Sequence, residues 1–135
     1  GDTELPETVD KPATELLPVV DDFEDGWRGS VYTDGTAIFA APDGNPVVTY
    51  NMTVYNNSAE AQSGLESVKP ENIATDGANV GDNGYTYQTD DDRYKTVFRD
   101  RNVVCGTTYV VDREISTPES NVEGYAEKCL ESIRG

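Results

Sequence analysis

Two cysteines, Cys105 and Cys129, are the residues whose type most directly implies chemistry. Two is the number that makes one bridge. Cys105 stands in the most apolar segment and Cys129 on the apolar stripe of the last helical segment, so both are expected to face one core. In an exported protein that placement predicts a disulfide; in a reducing compartment the same pair would be two buried thiols. Nucleophilic chemistry is not expected of either. The chain has no histidine to partner a thiolate, and no CxxC of the thioredoxin type.

Other side chains offer weaker chemistry. Asn51-Met52-Thr53 and Asn56-Asn57-Ser58 match the N-glycosylation pattern, making Asn51 and Asn56 possible acceptors. Acidic clusters invite a calcium reading, yet an EF-hand register with Gly26 at its sixth position puts Phe23 and Tyr32 where ligands belong. Asp90-Asp91-Asp92 reads as a solvated turn, and two cysteines without histidine make no zinc site, so no metal and no cofactor is expected. GxSxG, GxxxxGK and GxGxxG are all missing, and with 26 acids a pair of neighbouring carboxylates carries no information. No catalytic residue is assigned and no enzyme is expected. Trp27, Tyr85 and Tyr87 could line a ligand groove, although packing is the commoner fate of such aromatics.

The elements that must position these residues follow from punctuation and period. Residues 1–11 hold four acids and little that could pack, and read as a disordered tether ahead of a single domain at 12–135. Opening on Gly, the chain is expected to have lost a leader or a tag. Residues 12–17 predict a short helix begun at Pro12 and stopped by Pro18. Strands are expected at 28–32 and 36–41 around the Asp34-Gly35 turn, then at 47–55 with Val48, Tyr50, Met52 and Val54 facing the core. A helix at 58–68, capped by Asn57 or Ser58, precedes a long loop at 71–84 with a brief extended piece near Val80. Strands follow at 85–89, 93–99 and 103–111. Ser120-x-x-Glu123 reads as the capping box of a last helix whose Val122, Tyr125, Ala126, Cys129, Leu130 and Ile133 share one face. The prediction is an α+β domain, a largely antiparallel sheet of about six strands flanked by helices.

Gly26-Trp27, the run from Val54 to Leu65, Val80-Gly81-Asp82, Phe98-Arg99 with Arg101-Asn102-Val103-Val104, and Tyr125-Ala126 together resemble small extracytoplasmic domains with a Mog1/PsbP-like sandwich. The resemblance implies an antiparallel sheet flanked by helices in a secreted or lipid-anchored protein. It brings no catalytic residues and no assigned function.

Charge narrows the setting. Twenty-six acids against 10 cations give a net charge of -16, with only four lysines against fourteen aspartates. Nucleic acid and anionic membrane surfaces would be repelled. No apolar run approaches the roughly 20 residues a spanning helix needs. Such a shell is similar to those of extreme halophiles. The expectation is an acidic, exported or lipoprotein-like domain of a halophilic archaeon, a monomer that binds an unknown protein or small ligand at the cell surface. The alternative is a small-ligand or cation-binding sensor domain.

Overall fold

Apolar and polar residues alternate from Val47 to Val54, which dictates a strand buried on one side. The computed structural model, which describes residues 8–111 and 118–135, sets that strand near the middle of a seven-stranded antiparallel sheet. Along the chain come α1 (Ala13–Leu16), a 3-10 turn (Val20–Asp22), β1 (Arg28–Val31), β2 (Thr36–Ala40), β3 (Val47–Val54) and α2 (Ser58–Ser67). Then follow β4 (Asp76–Gly77), β5 (Asn83–Asp90), β6 (Arg93–Asp100), β7 (Val103–Val110) and α3 (Pro118–Arg134). The spatial order β1-β2-β3-β7-β6-β5-β4 joins two meanders where β3 meets β7. The class is α+β, as predicted. The extra strand is β4, which pairs with Tyr85 and Thr86. It displaces the extended piece expected near Val80, because two residues of Asp and Gly carry no alternation that could announce a strand.

Local chemistry explains the joints. Gly35 sits buried in the β1–β2 turn at φ +88°, where a β-carbon would come within 2.7 Å of the Met52 carbonyl oxygen; only glycine fits. Asn57 caps α2 by accepting from the Glu60 amide at 2.8 Å. The last helix departs from expectation at its start. It begins at Pro118, a residue suited to a first helical position, so Ser120 lies inside the first turn and not at the N-cap.

Helix α3 covers one face of the sheet. Its buried Val122, Ala126, Cys129 and Ile133 meet Phe39, Val48, Tyr50, Phe98 and Cys105 in the main core. Tyr50 is wholly buried there, and its hydroxyl donates to the Tyr125 carbonyl oxygen at 2.8 Å. Helix α2 covers part of the opposite face through Ala61 and Leu65, against Tyr85, Val97 and Val104. Within the stretch read as a tether, Val9 is buried. Its amide donates to Asn102 Oδ1 at 2.7 Å, and Asn102 Nδ2 donates back to the Val9 carbonyl oxygen at 3.0 Å. Residues 1–7 and 112–117 lie outside the described residues.

Candidate functional site

Strand parity decides which of the singled-out residues can meet. Trp27 belongs to the α3 side, stacked on Phe23 at 4.9 Å and 5.9 Å from Tyr125. Tyr85 and Tyr87, 6.0 Å apart, lie on the α2 side. The structure therefore does not assemble a groove from Trp27, Tyr85 and Tyr87. Tyr85 is an anchor for α2: its hydroxyl donates to the Leu65 carbonyl oxygen at 2.8 Å, and burial, with Tyr87 beside it, pushes its pKa up to about 12.

Cys105 and Cys129 come together as the apolar patterns require. Both are fully buried, with their sulfurs 2.8 Å apart as free thiols. Burial, and then the contact with Cys105, pushes the Cys129 thiol well above its usual range. A thiol so held stays protonated at neutral pH and is a poor nucleophile. Among the described residues no three His, Cys, Asp or Glu side chains group as metal ligands would. Asn51 is exposed on the outward face of β3, and Asn56 is exposed between β3 and α2.

Asn51 belongs to a larger feature. The strand register sets Arg28, Ala40, Val47, Val110 and Arg93 in one row across β1, β2, β3, β7 and β6. The neighbouring row holds Ser30, Ile38, Thr49, Thr108 and Lys95. These rows share the face on which Val97 and Val104 receive α2, but α2 packs mainly over β6 and β7. Over β1 to β3 the outward side chains stay exposed or half-buried, and Ile38 keeps 42 % of its surface in solvent.

The charge on this face is unlike that of the chain as a whole. Acids are 26 of 135 residues, yet no outward position of β1, β2, β3 or β7 carries one. On the same face Arg28 stands on β1 and Arg93 and Lys95 on β6, and among the described residues none of the three makes an ion pair. Arg99, on the same face, is engaged by Gln62 at 2.9 Å and Asp82 at 3.4 Å. The Lys95 stem crosses Gly106, where a methyl group would come within 3.2 Å of its Cε. Beside it a notch of about 120 Å³ opens between β3 and α2, lined by Asn51, Tyr55 and Val68 among others. Carboxylates stand around this face, in the turns at Asp34, Asp43 and Asp90–Asp92, at Asp82 beside Arg99, and on α2 at Glu60 and Glu66.

Sequence reasoning missed this face. Its signal was present in Arg93-x-Lys95-x-x-x-Arg99, three cations at outward positions of one strand in a chain that has only 10.

No protein-family model and no curated protein matches the sequence. Among solved structures, a protein of Bacteroides thetaiotaomicron VPI-5482 is similar at a TM-score of 0.41 and 13 % identity, over 74 % of this chain. The chain spans 40 % of the length of that protein. LpqN of Mycobacterium tuberculosis, described as involved in cell envelope biogenesis, is similar at a TM-score of 0.31 and 14 % identity, over 87 % of this chain and 78 % of its own. Likeness of this degree carries no argument about what the chain binds. No helix among the described residues is long and apolar enough to cross a membrane.

Proposed function

We propose that this chain is a non-enzymatic binding domain that works outside the cytoplasm, at the cell surface or secreted, in a high-salt setting. The observation that carries the binding role is the outward sheet face from β1 to β6, which bears no acid on its strands and carries Arg28 on β1 and Arg93 and Lys95 on β6, none of them in an ion pair among the described residues. A shell of -16 that spares one sheet face and concentrates cations there leaves that face free for a partner. The adjacency of Cys105 and Cys129 supports an oxidising location, since a bridge across that contact would persist there and not in a reducing cytosol.

Location is tested on intact cells expressing the whole gene. A membrane-impermeant amine reagent should label the protein before lysis, and Cys105 and Cys129 should resist alkylation after unfolding in denaturant when the protein is isolated without reductant. Labelling only after lysis, with both thiols alkylated, overturns the extracytoplasmic reading.

A further inference from the structure

We propose that the outward face of β1, β2 and β3 is the docking surface for an acidic amphipathic helix of a partner protein. The inference rests on the binding role above and names the chemistry of the partner.

Three observations converge on a helix with carboxylates beside its apolar stripe. The first is the floor of the surface. Ile38, Ala40 and Val47 lie exposed or half-buried among threonines, an apolar strip too broad to be a lone surface residue and too polar at its margins to be a core. The second is charge. Arg28 bounds the strip on β1, and Arg93 and Lys95 bound it on β6, four strand spacings away, which is about 19 Å. Cations on both flanks of an apolar strip complement apolar residues flanked by Glu or Asp, and they disfavour a basic segment.

The third is what already sits on this face. Helix α2, whose sequence SAEAQSGLES has acids and no cation, packs Ala61 and Leu65 on the sheet and engages Arg99 through Gln62. It rests over β6 and β7. A neighbouring helix packs at about 8–10 Å, which is two strand spacings, and so would lie over β2 and β3. The Asn51 notch at the margin of α2 would receive one side chain of such a helix. The face thus holds one helix from its own chain over β6 and β7 and leaves β2 and β3 with the width for a second. A second copy of this chain, face to face, would set Arg28, Arg93 and Lys95 against their own kind and is disfavoured.

The probe is a synthetic peptide of about 18 residues, long enough to hold helix in water. It carries Leu and Ala at i, i+3, i+4 and i+7 and Glu on both flanks of that stripe. Amide resonances of the ¹⁵N-labelled chain are followed at about 0.1 M KCl. Shifts should concentrate at Ile38, Thr49 and Thr108, and the Arg28→Glu, Lys95→Glu double variant should weaken binding about tenfold or more while its amide spectrum away from this face stays that of the folded chain. The same peptide with Lys for Glu should leave these amides unmoved.

Silence at these amides with millimolar acidic peptide overturns the proposal. So does equal binding by the double variant, equal binding of the Lys peptide at this face, or a shift produced by polygalacturonate and not by the peptide. Sedimentation showing a dimer that the double variant dissolves would assign the face to a second copy instead. Surface labelling that succeeds while the peptide fails removes the helix and leaves the extracytoplasmic reading standing; the reverse outcome removes the location alone.

Discussion

At the scale of single residues, three buried positions make two opposite cases. Thr107 is wholly buried, and among the described residues its Oγ1 is a buried side-chain atom without a hydrogen-bond partner. A hydroxyl left so loses its hydration without return, at roughly 1–3 kcal/mol. Thr107→Val should therefore raise stability by about 1 kcal/mol, read as a higher urea midpoint at unchanged slope; a lower midpoint would mean that the hydroxyl is satisfied in solution. Cys105 and Cys129 make the second case. Their bond would close a loop of about 25 residues and stabilise by roughly 3.5 kcal/mol on the chain-entropy account. Non-reduced mass spectrometry should find two hydrogens lost, and Cys129→Ser should then cost several kcal/mol. Two alkylatable thiols in protein purified without reductant would defeat the bridge. That the two sulfurs meet was legible because each cysteine sat on an apolar stripe whose destination was fixed. Thr107 was not, since a threonine on a strand reads the same whether its hydroxyl has a partner or none.

At the scale of elements, α3 was the most legible, because its 3.6-residue period survives in the sequence. Val122, Ala126, Cys129 and Ile133 are all buried, while Tyr125 and Leu130 flank the stripe half-buried. Ile133→Ala should cost about 2–5 kcal/mol, and Leu130→Ala clearly less; equal costs would contradict the packing. The end of α3 is also held electrostatically, by a contact no local pattern could reveal. Asp100, 1 % exposed at its side chain, meets Arg134 at 2.8 Å and Arg101 at 2.9 Å. Burial pushes its carboxyl up, but hydrogen bonds and charge from Arg134 and Arg101 outweigh that and hold it below the usual range. A carboxyl held low in the fold and near about 3.9 unfolded contributes stability that is whole above about pH 4. That contribution is lost as pH falls through the folded value. Asp100→Asn should accordingly cost about 3–5 kcal/mol at pH 7, and its midpoint should fall less than the native one between pH 4 and pH 2, followed by circular dichroism. Parallel curves would show that the clamp is not what acid breaks. The Val9–Asn102 contact was hidden for the same reason as this one: partners 93 residues apart leave no spacing to read.

At the scale of the whole molecule, the surface is segregated rather than uniformly acidic. The sequence shows the sum of -16 but not its distribution, since only strand parity reveals that the outward faces of β1, β2, β3 and β7 are spared. Sparing one face crowds the 26 acids onto the remaining surface, as in the Asp90–Asp92 turn and at Asp21-Asp22. Such crowding repels more in the compact state than in the expanded one, so it lowers stability in dilute buffer. The screening length is about 10 Å at 0.1 M salt and about 3 Å at 1 M, the second shorter than the spacing of neighbouring surface charges. Raising KCl from dilute buffer to the molar range should therefore stabilise the fold, with the electrostatic gain largely complete by about 1 M. Each kcal/mol recovered should lift the thermal midpoint by about 3–5 °C for a chain of this size. Salt acts the other way at the open face, where screening Arg28, Arg93 and Lys95 weakens any contact made by charge. Binding by the acidic peptide should thus fall between 0.1 M and 1 M KCl while the midpoint rises, and what survives at 1 M measures the apolar strip. Circular dichroism melts and peptide titrations on one KCl series separate the two effects. A midpoint that stays flat or falls as KCl rises would remove the high-salt reading and leave an ordinary acidic domain, whatever the peptide does.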